Sequence, residues 1–137
     1  MRKSKINISG FKIGTAENRD GLTGVTVILA PDGGATAGVD VRGCAPGTRE
    51  TDLLDPRKTV QKIHAVVLSG GSAFGLEAAS GCVKYLAEQG VGFPIGNVCV
   101  PIVCSAVLFD LMIGDEKAYP DLLMGYEAAK SASSEFL

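Results

Sequence analysis

The hydrophobic pattern of the first forty residues predicts β-strands separated by turns. A first strand is expected over residues 6–13, with Gly10 as a bulge or turn inside it. The β-branched run at residues 25–29 is typical of a strand, and residues 31–34 (Pro-Asp-Gly-Gly) form a strong turn signal. We therefore predict that residues 35–41 return as the second strand of a hairpin with residues 25–29.

The middle of the chain predicts a strand, a sharp bend and a helix. Residues 65–68 form a continuous apolar run, which is typical of a strand buried on both faces. The polar residues 69–72 follow directly, and a helix is expected over residues 73–89, with Gly90 suited to its end. The expected apolar face of this helix consists of Phe74, Ala78, Ala79, Cys82, Val83 and Leu86.

The last third of the chain mixes short apolar segments with one further helix. Residues 93–103 are apolar but interrupted by prolines and a glycine, and residues 106–111 are another strand candidate. Pro120 is expected at the first position of the last helix. The inner stripe of that helix would consist of Leu122, Leu123, Tyr126 and Ala129. Because strands and helices are mixed without a repeat or a linker, residues 1–137 are predicted to belong to one domain of α/β or α+β class.

Composition and charge argue against several classes of function. Hydrophobic residues make up 46% of the 137 residues and charged residues 20%, which is typical of a globular domain. The net charge of −2 and the scattered Lys and Arg do not provide the basic surface that nucleic-acid binding requires. No apolar run of about 18 residues is present, so we expect no membrane span. No apolar signal-peptide core follows the basic start, so a cytoplasmic location is expected. The mean hydropathy of +0.24 is high, which predicts that some apolar surface faces a partner segment or subunit.

The four cysteines and the single histidine are interpreted as structural residues. Cys44, Cys82, Cys99 and Cys104 do not have the spacing of a zinc or redox motif and are expected to be small buried side chains. His64 has no acidic residue or nucleophile at a motif spacing, so nothing supports a catalytic triad. We accordingly predict no metal site and no cofactor.

The bend formed by Ser69, Gly70, Gly71 and Ser72 is the first candidate site. A strand that turns into a helix through glycines points N–H groups and the positive end of the helix dipole into the bend, where an oxyanion, carboxylate or phosphate would be stabilised. The structural alternative is that Ser72 caps the helix and the glycines only permit close packing. The bend is one residue too long for a G-x-S-x-G nucleophile elbow, and it lacks the lysine of a phosphate-binding loop.

The charged segment at residues 40–52 is a second candidate. It is interpreted first as an ordered loop held by ion pairs among its own residues, because ion pairs often order loops without taking part in catalysis. The residues able to pair are Asp40, Arg42, Arg49, Glu50 and Asp52. The functional alternative is that this loop forms the wall of a pocket.

Three longer stretches of this chain resemble one known family. They are residues 40–56 (DVRGCAPGTRETDLLDP), residues 68–76 (LSGGSAFGL) and residues 106–111 (AVLFDL). In order and spacing they are similar to the amino-terminal half of the L-aminopeptidase/D-esterase (DmpA-type) self-processing hydrolases, whose relatives include β-aminopeptidases and nylon-oligomer hydrolases. The resemblance extends over nearly the whole chain, from about residue 6 to Leu137.

The resemblance implies a fold and a mechanism that the composition does not. The fold is a four-layer αββα sandwich, similar to that of the N-terminal nucleophile hydrolases, and residues 1–137 would be its incomplete amino-terminal part. The precursor cuts its own backbone before a Ser or Thr beyond Leu137. That residue then acts as nucleophile through its hydroxyl and as base through its new α-amino group, whose ordinary pKa of about 7.7–8.0 suits a base at neutral pH. The implied partners are this downstream segment, a small peptide or amide substrate, and further copies in a homo-oligomer such as a tetramer.

The resemblance carries no catalytic residue into this chain, but it places two segments near the active cleft. These are residues 69–72 and residues 100–109, which would support the oxyanion and the cleft wall. Some relatives have a Tyr with a catalytic hydroxyl where Phe109 stands, and Phe109 cannot donate a hydrogen bond. Cys104 and Ser105 stand where many relatives have Pro and Ala. Cys104 is not expected to be a nucleophile, because no base or cation is predicted beside it.

Two other functions are compatible with the same residues. One is a non-catalytic α/β domain that binds a phosphate or carboxylate ligand at the bend from Ser69 to Ser72. The other is a relative of the hydrolases that has lost its chemistry and only assembles.

Overall fold

A five-stranded mixed sheet carries two helices on one of its faces in the computed structural model, which describes residues 4–136. The strands of this sheet, in spatial order, are β2 (Lys12–Asn18), β3 (Thr23–Leu29), β5 (Ala65–Ser69), β8 (Val103–Val107) and β4 (Thr48–Arg49). Two short strand pairs lie outside it: β1 (Ser4–Lys5) with β9 (Glu135–Phe136), and β6 (Phe93–Ile95) with β7 (Val98–Val100). The helices are α1 (Glu77–Glu88), α2 (Leu122–Lys130) and two 3-10 helices, Asp52–Leu54 and Ser72–Leu76.

The main core lies between the sheet and the two helices. Alternate residues of β3 face it, because successive side chains of a strand point to opposite faces. The buried core residues are Val25, Val27, Leu29, Ala65, Val67, Ala78, Ala79, Cys82, Leu86, Val103, Ala128 and Ala129. The mixed α and β content agrees with the predicted fold class.

The parallel pair β5 and β8 sets the position of the bend. Their register runs from Ala65 opposite Val103 to Ser69 opposite Val107. A parallel pair needs a long crossover, and here the crossover contains α1. The carboxyl ends of β5 and β8 therefore lie side by side at one end of the sheet, and the polypeptide leaves the sheet there after each of the two strands.

The second face of the sheet is only partly covered. Its side chains include Ile28, Val66 and Leu68, and Leu68 is 46% exposed. Within residues 4–136, neither α1 nor α2 packs on this face, although Val66 contacts a small cluster around Ile63. The described residues thus form one helix layer and one sheet layer.

The predicted hairpin between residues 25–29 and residues 35–41 is wrong. Strand β3 pairs instead with β2 on one side and with β5 on the other, both antiparallel. Residues 35–41 form no strand, and the β-pairing there is limited to a single bridge from Ala35 to Ile63. Both edges of β3 are therefore occupied by other strands, and the glycine turn before Ala35 directs the chain away from β3.

Several predicted boundaries also differ from the structure. The first long strand starts at Lys12 rather than at residue 6, and Gly10 lies in a turn with φ of +82°. Strand β8 ends at Val107 instead of continuing to residue 111. The middle helix begins with a 3-10 segment, and Phe74, predicted to be on the inner face, is exposed.

The last helix begins two residues later than predicted. Asp121 is its N-cap, with a carboxylate that accepts a hydrogen bond from the Met124 N–H at 2.8 Å, so Pro120 precedes the cap. Leu122 and Leu123, predicted to be on the inner stripe, are exposed. The buried face of α2 consists of Gly125, Ala128 and Ala129.

Candidate functional site

The predicted bend is present where β5 turns into the 3-10 helix Ser72–Leu76. Gly71 and Ser72 have φ values of +83° and +52°, so the backbone reverses sharply in the left-handed region. The hydroxyl of Ser69 is buried and donates to the Gly75 carbonyl at 2.8 Å. Ser72 provides no side-chain cap, so the predicted capping role of Ser72 is wrong.

The N–H groups of the bend donate to partners within the chain. Gly70 N–H donates to the Gly24 carbonyl at 2.9 Å, and Ser72 N–H donates to the Leu108 carbonyl at 2.9 Å. Gly71 N–H donates to Oδ1 of Asp110 at 2.6 Å. An anion does occupy the bend, as its backbone predicts, but it is a carboxylate of the chain itself.

Asp110 connects the bend to a third segment. Its other oxygen, Oδ2, accepts a hydrogen bond from the Thr23 hydroxyl at 2.8 Å. A Cβ atom at Gly70 would overlap both the Asp110 carboxylate and the Thr23 hydroxyl, and one at Gly71 would lie 2.5 Å from Cβ of Tyr119. The prediction that the two glycines permit close packing is therefore correct. The phosphate or carboxylate ligand that the bend suggested loses its support, because the three N–H groups are already paired.

Two of the three non-glycine residues with positive φ in residues 4–136 flank this junction. Leu22 has φ of +54° and Ser72 has φ of +52°, a region that non-glycine residues rarely adopt. One of them precedes Thr23 and the other follows Gly71, so both flank the hydrogen bonds to Asp110. Residues held in this way persist only where the surroundings fix them, and they are frequent at functional sites.

A cleft of about 610 Å³ lies next to Asp110, with Thr23, Gly70 and Leu108 in its wall. Phe109 and Leu108 are 68% and 72% exposed at the end of β8. The structure therefore brings together the bend and the segment carrying Phe109, which are the two segments that the family resemblance places near the active cleft.

The charged loop at residues 40–52 forms the wall of a second cavity, of about 420 Å³, above the partly covered sheet face. Of the ion pairs predicted within this loop, the described residues contain one, the exposed pair of Asp40 and Arg42 at 2.7 Å. Arg49 donates instead to the Ser80 hydroxyl of α1 at 2.7 Å. The pocket-wall interpretation thus agrees with the structure better than the ion-paired loop does.

Comparison with known proteins identifies the family. The sequence profile of peptidase family S58 matches residues 5–135. The chain belongs to peptidase family S58. The match confirms the family predicted from the three sequence stretches.

Relatives of this S58 chain agree with the assignment. An uncharacterized aminopeptidase of Mycobacterium leprae is 45% identical over 134 residues, covering 92% of this chain and 37% of the relative. A 6-aminohexanoate-oligomer endohydrolase of Kocuria sp. is 34% identical over 128 residues, covering 93% of this chain and 33% of the relative. The S58 chain therefore spans about a third of the length of these relatives.

The fold of the S58 chain also matches a solved structure. A β-aminopeptidase of Burkholderia sp. superposes with a TM-score of 0.65 at 18% identity, covering 92% of this chain and 37% of that one. At this identity the likeness concerns the fold alone. It confirms the prediction that the S58 chain forms an incomplete part of the layered α and β sandwich.

The single histidine of the S58 chain has a structural role, as predicted. His64 is buried, and its Nδ1 accepts a hydrogen bond from the Ile102 N–H at 3.0 Å. Burial lowers the pKa of His64 below its ordinary value. The imidazole thus bridges two segments and fixes the start of β5.

The cysteines of the S58 chain only partly follow the prediction. Cys82 and Cys104 are buried, whereas Cys44 is exposed and Cys99 is partly exposed. Burial raises the pKa of Cys82 to about 12. Burial, and then the charge of Glu50, raise the pKa of the Cys104 thiol, which donates to the Glu50 carbonyl at 3.3 Å. Thiols with raised pKa values are poor nucleophiles.

Across residues 4–136, no three His, Cys, Asp or Glu side chains lie close enough together to hold a metal ion. None of the helices described here has the length and apolarity needed to cross a bilayer.

Proposed function

We propose that this chain is the amino-terminal part of a self-processing hydrolase that cleaves amide bonds near a free amino terminus or in small amides. The observation that carries the proposal is the match to peptidase family S58 over residues 5–135. Relatives named as an aminopeptidase and as an oligomer hydrolase support the same reaction class.

The chemistry of the described residues supports a nucleophile outside this chain. His64 is neutral and engaged with the backbone, so it is not placed to activate a hydroxyl. Cys82 and Cys104 are buried thiols with raised pKa values. In the proposed mechanism, a Ser or Thr beyond Leu137 becomes an amino terminus when the backbone before it is cut.

The proposed reaction has two steps. The hydroxyl of the new terminal residue attacks the substrate carbonyl, and its α-amino group takes up the proton. The resulting ammonium group passes this proton to the leaving nitrogen, so that the amine product departs and the acyl-enzyme remains. Water then hydrolyses the acyl-enzyme. We propose that residues 69–72 and Phe109 form part of the cleft wall. Because Gly70, Gly71 and Ser72 use their N–H groups internally, the oxyanion would be held by donors from other segments.

The partly covered sheet face gives the downstream segment a place to pack. Leu68 and its neighbours on β3 and β5 present apolar side chains there, and an exposed apolar surface of this kind is typical of an interaction site.

We further propose that the complete protein is a cytoplasmic homo-oligomer, with a tetramer as the expected size. Light scattering of the purified protein measures the oligomer size directly.

The test of self-processing uses the complete polypeptide that contains this chain. We expect two bands on a denaturing gel, and amino-terminal sequencing of the second band should begin at a Ser or Thr. Replacing that residue by Ala should leave one band and abolish hydrolysis of aminoacyl amides, whereas replacing the nearest other Ser or Thr should change neither. A single band from the unmutated protein, without amide hydrolysis, would refute the proposal.

A further inference from the structure

We propose that Asp110 is a positioning residue of the cleft, which holds the bend and Phe109 in the arrangement that the reaction needs. This inference rests on the proposed function. Asp110 lines the cleft beside Thr23 and Gly70. Both of its carboxylate oxygens are already engaged by donors of the chain, so it would act through the segments that it connects.

The carboxylate joins parts of the chain that are far apart in sequence. Thr23, at the start of β3, is 87 residues from Asp110, and Gly71, in the bend, is 39 residues away. Each donates to a different oxygen of the same side chain, at 2.8 Å and 2.6 Å. Hydrogen bonds to a charged acceptor are shorter and stronger than those between neutral groups.

The junction is shaped for a carboxylate at this place. Gly70 is buried, and a Cβ atom there would overlap both the Asp110 carboxylate and the Thr23 hydroxyl. The left-handed backbone at Leu22 and Ser72 lies on either side of the same hydrogen bonds. Strained residues of this kind need fixed surroundings, and the carboxylate supplies two of the fixing bonds.

The same junction controls the residues that face the cleft. Leu108 N–H donates to the Ser69 carbonyl and Ser72 N–H donates to the Leu108 carbonyl, both at 2.9 Å, so the segment before Asp110 is tied to the bend. Phe109 lies between these two attachments, at Leu108 and at Asp110, and its side chain is 68% exposed. A shift of the Asp110 carboxylate would therefore move Phe109 and the bend together.

The test compares four variants of the complete protein for self-cleavage and for hydrolysis of aminoacyl amides. Asp110→Ala removes both hydrogen bonds, and Thr23→Val removes one. Asp110→Asn keeps an oxygen for the Gly71 N–H and can donate to the Thr23 hydroxyl, so it should preserve the geometry. The control, Glu88→Ala, removes a carboxylate that accepts from the Tyr126 hydroxyl at 2.7 Å between the two helices, away from the bend.

We expect Asp110→Ala to lower kcat by about 10- to 100-fold with little change in KM, because small misplacements at a cleft have effects of this size. Thr23→Val should give a smaller loss, and Asp110→Asn should recover most of kcat. Glu88→Ala should lower only the melting temperature. If Asp110→Ala does not fold, Thr23→Val and Asp110→Asn give the same comparison.

Two results would overturn the positioning role while leaving the proposed function intact. One is an unchanged kcat in Asp110→Ala or Thr23→Val, with loss of melting temperature alone. The other is an Asp110→Asn variant as inactive as Asp110→Ala, since the charge rather than the geometry would then matter. An unmutated protein that neither cleaves itself nor hydrolyses amides would refute the proposed function, and the positioning role with it.

Discussion

A single methyl group added at Gly81 should push the two helices apart. Gly81 lies in α1 where it packs against α2, and it is buried. A Cβ atom at this position would overlap the carbonyl oxygen of Leu122 and lie 2.5 Å from the amide nitrogen of Tyr126. Both atoms belong to the backbone of α2, so rotation of a side chain cannot relieve the overlap.

Two effects of opposite sign determine the size of the change in Gly81→Ala. Alanine is favoured over glycine in a helix interior by about 1 kcal/mol. Overpacking of a close contact costs about 1–3 kcal/mol or more, and a contact with rigid backbone belongs at or above the upper end of that range. We therefore expect the free energy of unfolding to fall by about 2 kcal/mol or more.

Urea unfolding followed by circular dichroism measures this change as a lower midpoint at an unchanged m-value. The matched control is Ala87→Gly, at an exposed position of the same helix, which should lose about 1 kcal/mol through helix propensity alone. If Gly81→Ala were neutral or more stable than the unmutated protein, the close approach of the helices would be wrong.

Three further predictions concern other parts of the fold. Because burial lowers the pKa of His64 below 6.5, the stability that depends on its neutral form should be complete above pH 6.5 and be lost as the pH falls; melting temperatures from pH 8 to pH 5 should drop more steeply for the unmutated protein than for His64→Gln. At pH 8, iodoacetamide should modify the exposed Cys44, while Cys82, with a pKa of about 12, should react only after unfolding. Mass spectrometry of the peptides measures this, and modification of Cys82 in the folded protein would contradict its burial. Asp121→Ala removes the side-chain cap of α2 and should lower the free energy of unfolding by about 1 kcal/mol in urea titrations, and an unchanged midpoint would contradict the cap.

Local sequence predicts strands more securely than it predicts their partners. The apolar runs at residues 25–29 and 65–68 correspond closely to β3 and β5, because β-branched residues favour extended backbone wherever they lie. The pairing of β3 with β2 and β5 depends on which strand edges are free in the folded sheet, and the turn at residues 31–34 carries no information about that. The buried face of α2 is predicted correctly only at Ala129, because its buried residues also include Gly125, which hydrophobicity does not mark.

At the candidate site, too, local sequence predicts the backbone form but not the partner that binds it. Residues 69–72 were predicted to form a bend suited to an anion, and the backbone has that form. Because nothing near the bend in sequence supplies a carboxylate, the sequence suggests either a free anionic ligand or a purely structural bend. Asp110 reaches Gly71 from 39 residues away, and only the parallel pairing of β5 with β8 brings the two together.

The tethered carboxylate of Asp110 also bears on how the protein responds to its surroundings. A group attached to the same chain competes with free ions as though it were present at millimolar or higher effective concentration. Phosphate or sulfate from a buffer would have to displace it and would then face its negative charge at close range. The junction is therefore expected to respond little to free anions, because the chain's own carboxylate already occupies the donors.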